Sequence, residues 1–187
     1  LTDHDSIESH YFISKVPEFI IIPGIEVSSS DGHILALGVR ELIPSGLTAE
    51  ETVDRIHQIG GLAIAAHVMR SSKNTIQKDL LRNLRLDALE TVNSGALLSR
   101  SFRSSRGFAQ EIGRPETAGS DAHVLGTVGR AFSEVDCEAP STENILKAVK
   151  EGRTLPQGQT DLWANRLKKI SLKLRKKLGV YASSSSI

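Results

Sequence analysis

The chain has 187 residues, 39% of them hydrophobic and 24% charged, which suits one domain with a sizeable core and excludes wholesale disorder. Its formal net charge of +1, from 23 Lys+Arg against 22 Asp+Glu, gives no overall bias toward nucleic acid or membrane surfaces. The single cysteine, Cys137, excludes an internal disulfide or a cysteine-built zinc site, and the lack of a membrane-length apolar run or signal-peptide pattern sets the expectation of a soluble, cytoplasmic protein.

The chain opens Leu1-Thr2-Asp3-His4-Asp5, and Leu1 reads as the last residue of a strand that began earlier. Phe19-Ile20-Ile21-Ile22 running into Pro23-Gly24-Ile25-Glu26-Val27 has the β-branched content of a buried strand. Ser28 to Gly32 is turn chemistry, and His33 to Val39 reads as the hairpin partner. Thr48-Ala49-Glu50-Glu51 is a capping box opening a helix with Val53, Ile56 and Ile59 on one face. Gly60-Gly61 stops it, and Leu62 to Ala66 is a second buried strand. A helix around Ile76 to Leu84, a strand from Leu86 to Val92 and a longer helix from Leu97 to Ile112 follow. Gly113-Arg114-Pro115 breaks that helix, Arg130 to Val135 reads as a short strand, and Ser141 to Val149 as a helix ended by Gly152. Such alternation predicts an α/β domain with a mostly parallel sheet. Cys137 reads as a small buried hydrophobe.

The acids and histidines fall in a pattern. Asp3-His4, Glu26, His67 and Asp121-His123 each sit at or just past the end of an expected strand. Active sites of α/β sheets and barrels are built at the C-terminal ends of strands. Four strands delivering imidazole or carboxylate to that face suggest a site for Zn, Mn, Fe or Mg. Any one of these residues alone would read as a helix cap or a solvated loop residue.

Taken in order, Leu1-Thr2-Asp3-His4-Asp5, Pro23-Gly24-Ile25-Glu26 with the following His33, Ala66-His67 and Gly119-Ser120-Asp121-Ala122-His123 resemble the PHP (polymerase and histidinol phosphatase) family, over roughly residues 1 to 153. The resemblance implies a distorted (β/α)7 barrel holding up to three divalent metal ions that hydrolyse phosphoesters. Carried over by position, Glu26 would bridge two metals, and Asp121 would share the first of them. His33 and His67 would complete the second, and His4 and His123 would hold the third. Metals so held would lower the pKa of a bound water to give hydroxide at neutral pH. Asp3 and His4 would be the catalytic pair, with Asp3 orienting an imidazole or relaying a proton. Two features depart from the family. Its opening His-x-His is missing, so the expectation is a barrel lacking its first β/α unit and an unfinished first site, inactive as an isolated fragment. Val68 stands where the family has proline, which shapes a turn and ligates nothing.

Other candidates carry less. Glu90 falls on a strand end where the family often has an acid, and reads as a supporting or structural residue. Arg70, close after His67, would clamp a substrate phosphate or be a plain surface arginine. His10 and His57 have no partners in the pattern, and His57 reads as solvated or partly packed.

From residue 162 the composition changes. Arg166, Lys168, Lys169, Lys173, Arg175, Lys176 and Lys177 occur without an acid, leaving 16 Lys+Arg against 22 Asp+Glu ahead of them. Trp163, Leu167, Ile170, Leu174 and Leu178 recur at helical spacing, so residues 159–187 read as a basic amphipathic helix and Ser-rich tail appended to a domain of residues 1–158. The apolar stripe would dock on the barrel with the lysines as its solvated face, or the helix would meet nucleic acid or anionic lipid. Two functions compete on this reading. One is a phosphoesterase acting on a small phosphorylated metabolite or nucleotide. The other is a non-catalytic module binding nucleic acid or a polymerase or RNA-processing partner through the basic helix. Oligomeric state is left open.

Overall fold

The computed structural model describes residues 1–13, 19–96 and 100–160, which form a mixed α/β fold. The expected basic helix and its seven cations lie outside the described residues. Six strands make one sheet in chain order: β1 (Thr2–His4), β2 (Gly24–Ser29), β3 (Gly32–Leu37), β4 (Leu62–Ala65), β5 (Ala88–Asn93) and β6 (Glu116–Gly119). β1 is parallel to β2, β3 is antiparallel to both its neighbours, and β4, β5 and β6 run parallel. Five of these six strands run the same way and β3 alone is reversed, so the sheet is mostly parallel, as expected, with the expected hairpin inside it. The reversal has a local cause: the turn through Ser30 and Asp31 sends β3 straight back along β2. Gly32 takes φ +142, and a Cβ there would come within 2.7 Å of the Ile76 backbone nitrogen, so the turn requires glycine.

Strand alternation divides the side chains between two faces. Ile25 and Val27 on β2, Ile34 and Ala36 on β3, Ala63 and Ala65 on β4 and Leu89 on β5 enter one buried core. Val53 and Ile56 of α2 (Ala49–Gln58), Leu81 of α3 (Lys78–Asn83), and Phe108 and Ala109 of α4 (Arg100–Glu111) complete it. Each fully buried Ile or Leu there contributes roughly 1.5–3 kcal/mol. The capping box on α2 is formed as the sequence predicts: Thr48 Oγ1 accepts from the Glu51 N–H at 3.2 Å, and Glu51 Oε2 accepts from the Thr48 N–H at 2.9 Å.

The opposite face carries Glu26, Leu35, Leu37, Ile64 and Glu90, and these line a cavity of about 700 Å³. Residues of β1 and of β6, the two ends of the sheet, line the same cavity, so the sheet curls on itself. Among the described residues it is a curled half-barrel, not a closed seven-stranded barrel. A two-stranded ribbon, β7 (Ala131–Val135) with β8 (Thr154–Gly158), lies beside β6. Ser133 Oγ accepts from the Ala118 N–H at 2.8 Å, and Thr154 Oγ1 donates to Glu116 O at 2.5 Å. The Leu125–Thr127 turn of 3₁₀ helix leads into this ribbon, and α5 (Thr142–Lys150), capped by Ser141, joins its strands.

Several local expectations shift. Phe19 and Ile20 are exposed, and the strand expected from Phe19 begins at Gly24. Pro23 just before it has no N–H for the ladder, and its carbonyl accepts from Gly38 N–H at 2.7 Å instead. The first strand runs from Thr2 to His4, so Leu1 precedes it and does not end it. α1 (Glu8–Ile13) and β8 were not foreseen; β8 contains Pro156, which hides it from propensity. Cys137 is half-buried, not buried, because it follows the end of β7 on a loop. No helix among the described residues is long and apolar enough to cross a membrane.

Candidate metal centre

Backbone register brings the acids and imidazoles together. In the β1–β2 pair His4 stands opposite Glu26. The β2–β3 hairpin sets His33 opposite Ser28, two residues along from Glu26 on the same face. His67 follows two residues after the end of β4. The result is a carboxylate ringed by imidazoles. His33 Nδ1 lies 2.8 Å from Glu26 Oε1, His67 Nε2 lies 3.3 Å from the same oxygen, and His4 Nδ1 lies 3.5 Å from Oε2. His67 Nε2 and His33 Nδ1 are 3.3 Å apart. His33 and His67 are buried, whereas the His4 side chain is 47% exposed at the mouth.

Burial alone would push the Glu26 carboxyl up. Hydrogen bonds from His33 and His67, with the charges of His4 and His33, hold it well below the usual carboxylate range. One ligand atom from each of His4, Glu26 and His33 lies within 4.8 Å of the others. Imidazole nitrogens and one ionised carboxylate suit Zn, Mn or Fe, so these residues fit a divalent cation.

Asp121 and His123 lie just past β6 and line the same cavity as Asp3, His4, Glu26 and His67. His123 Nδ1 is 3.3 Å from Asp121 Oδ1, and its ring centroid is 6.1 Å from that of His4. The geometry thus forms two adjoining groups, Glu26 with three imidazoles and Asp121 with His123, and His4 stands between them. Arg70 Nη1 donates to Asp121 Oδ2 at 3.1 Å, which ties the guanidinium to that carboxylate. Asp3 lines the cavity beside His4, with no hydrogen bond to an imidazole among the described residues. Glu90 is buried behind His67; its Oε2 accepts from the His67 N–H at 2.7 Å and from Asn93 Nδ2 at 2.8 Å. Burial drives the Glu90 carboxyl up to about 7, against the pull of the Asn93 and His67 hydrogen bonds and with a push from Asp121.

Backbone strain gathers here. Among the described residues, the non-glycine positions with positive φ are Asp5 (48), His67 (36), Met69 (60) and Asp121 (47). Left-handed backbone costs an L-residue roughly 1–2 kcal/mol, and such outliers collect at functional sites. Asp5 escaped the sequence reading. Its Oδ1 accepts from the Ser28 N–H at 2.8 Å and so ties the end of β1 to β2 beside Glu26. The available signal was an Asp directly after a strand, a residue type that tolerates this conformation. His10 and His57 are structural: His10 Nε2 is 2.9 Å from Gly24 O, and His57 Nε2 is 2.8 Å from Asp87 Oδ2.

Comparison with known proteins agrees with this arrangement. Residues 100–154 match the family model PHP_C, described as PHP-associated, a span that includes Asp121 and His123. The uncharacterized protein MJ1587 of Methanocaldococcus jannaschii is 33% identical over 97 residues, which is 50% of this chain and 56% of that relative. The chain thus spans little more than half of that relative's length. A two-domain protein from Bacteroides vulgatus containing a predicted PHP-like metal-dependent phosphoesterase superposes with TM-score 0.69 at 15% identity, covering 85% of this chain and 55% of that one. PsfC from Pseudomonas syringae superposes with TM-score 0.61 at 19% identity, covering 84% and 66%. At such identities the likeness to these structures is one of fold. Sequence match and fold point one way: residues 100–154 are similar to the PHP-associated family model, and the fold is that of a solved protein containing a predicted PHP-like metal-dependent phosphoesterase.

Proposed function

We propose that the chain forms most of a metal-dependent phosphoesterase that hydrolyses a phosphorylated metabolite or nucleotide. The observation that carries this reading is Glu26 with His33 and His67 on one of its oxygens and His4 on the other. Glu26, His33 and His67 would hold one divalent ion; Asp121 and His123, with His4 between the groups, stand ready for others.

A divalent ion held by these residues would supply Lewis acidity toward phosphoryl oxygens and water. The chain's own residues do the rest. Glu26 stays ionised at neutral pH because its neighbours depress its pKa, so its negative charge is always present to offset the cations. Arg70, part-exposed beside Asp121, would offer a fork matched to a phosphate. Asp3 and His4 line the cavity wall, and on this reading would take or give a proton at the substrate.

The test uses the full-length protein with p-nitrophenyl phosphate and its bis ester, in Mn²⁺ or Zn²⁺ and after chelation. Hydrolysis should require metal. His67→Ala and Asp121→Ala should each lower kcat/KM by more than about 100-fold, beyond the loss usual for residues that only support a ligand. Near-native rates in either variant would contradict the assignment.

A further inference from the structure

We propose that Glu90 and Gly119 form an interlock that fixes the backbone of His67, making Glu90 a positioning residue of the metal centre. The proposal deepens the phosphoesterase reading and rests on it only for what the positioned imidazole holds.

His67 sits in left-handed backbone, φ 36, and something must hold it there. The holder is β5. The Glu90 carboxylate takes the His67 N–H at 2.7 Å, and the Glu90 carbonyl takes the Val68 N–H at 3.3 Å. Asn93 Nδ2 donates to the same Oε2 at 2.8 Å, so that oxygen is aimed from two sides. Strand alternation puts Leu89 in the outer core and turns Glu90 to the concave face. The register shift between Glu90 and Val92 against β6 marks a bulge, the kind of irregularity that re-aims a side chain.

The second oxygen has a different task. A Cβ on Gly119 would lie 2.1 Å from Glu90 Oε1, inside any possible contact. Gly119 does not have positive φ, so its backbone would accept a side chain; the carboxylate alone forbids one. Oε1 therefore rests against bare backbone two residues before Asp121, so on the Gly119 side the carboxyl is held against β6. One group thus sets the spacing between the His67 turn of β4 and the Asp121 loop of β6. Ser94 N–H donating to Gly119 O at 3.2 Å holds β5 and β6 together at the same level. A buried carboxylate is a costly way to fill space, and here both oxygens have an occupation.

The first readout is hydrogen exchange of the His67 amide, followed by NMR in the metal-free full-length protein. Glu90→Gln, whose amide oxygen still accepts, should exchange within about threefold of wild type. Glu90→Ala and Gly119→Ala should each speed the His67 amide at least about tenfold, the equivalent of one charge-assisted hydrogen bond. Core amides such as Ile25 should be unchanged. The double variant should be no faster than Glu90→Ala alone, because both changes remove one contact. Where Glu90→Ala does not fold, Glu90→Leu fills the space without an acceptor and carries the same expectation. The second readout is Mn²⁺ affinity, which should fall about 10–100-fold in the same variants and hold in Glu90→Gln. An unchanged His67 amide in Glu90→Ala, a neutral Gly119→Ala, or additive effects in the double variant would overturn the interlock. Wild-type protein that binds no Mn²⁺ would instead overturn the phosphoesterase reading, with the exchange data still deciding the interlock.

Discussion

Two glutamates at the centre sit in opposite electrostatic circumstances, and their positions explain the difference. Glu26 meets imidazoles on both oxygens and is held ionised. Glu90, one layer behind, is buried more completely; burial, with a push from Asp121, outweighs the Asn93 and His67 hydrogen bonds and the His67 charge, and its carboxyl rises from 4.5 to about 7. Between those values the folded chain keeps a proton that the unfolded chain has released. Stability of the metal-free protein should therefore fall as pH rises through that window, by up to about 1.4 kcal/mol per unit from this group. Glu90→Gln removes the contribution. In urea unfolding the variant should match wild type near about pH 4.5 and exceed it above about pH 7; parallel profiles would contradict the account. At this scale the sequence was partly legible. His4, Glu26, His67 and Asp121 stood out because each is a metal-type residue at a strand end. Asp5 and Gly119 were quoted in the motifs yet assigned no task, since their work is a hydrogen bond to Ser28 and room for Glu90, and neither contact is local.

Among the elements, those with a self-contained signal were the easiest to foresee. The Thr48–Glu51 capping box needs only four residues, and it forms as written. Thr48→Ala should cost about 1 kcal/mol and lower Tm by a few degrees, measurable by calorimetry; an unchanged Tm would mean the cap is redundant. The Ser28 to Gly32 turn was equally plain. Its consequence, one reversed strand in an otherwise parallel sheet, follows from the same hairpin. Elements made by tertiary contact left little trace. β8 carries Pro156 and is held through Thr154 Oγ1 to Glu116 O and through the Arg106 guanidinium on the Pro156 carbonyl. Asp87 was not singled out, yet its Oδ2 lies 2.8 Å from His57 Nε2 and accepts the Ala63 N–H at 2.9 Å, joining α2 to β4. Neither contact follows from periodicity.

For the molecule as a whole, curvature is what turns scattered strand ends into a centre. β1 and β6 lie at opposite ends of the six-strand order, yet both border one cavity of about 700 Å³ with His4, Glu26, His67, Asp121 and His123 along it. Apolar Leu35, Leu37 and Ile64 line the same cavity, so the polar cluster stands beside an apolar wall. The near-neutral net charge hides a division. The residues before 162 carry 16 Lys+Arg against 22 Asp+Glu, and this acidic part contains every candidate ligand. The central claim is that Glu26 organises a divalent cation site, and calorimetric titration of the full-length protein with Mn²⁺ tests it most directly. Wild type should bind at least one ion per chain, and Glu26→Gln should weaken binding by more than about 100-fold, since it removes the one anion that the imidazoles surround. Equal affinity in wild type and Glu26→Gln would contradict it.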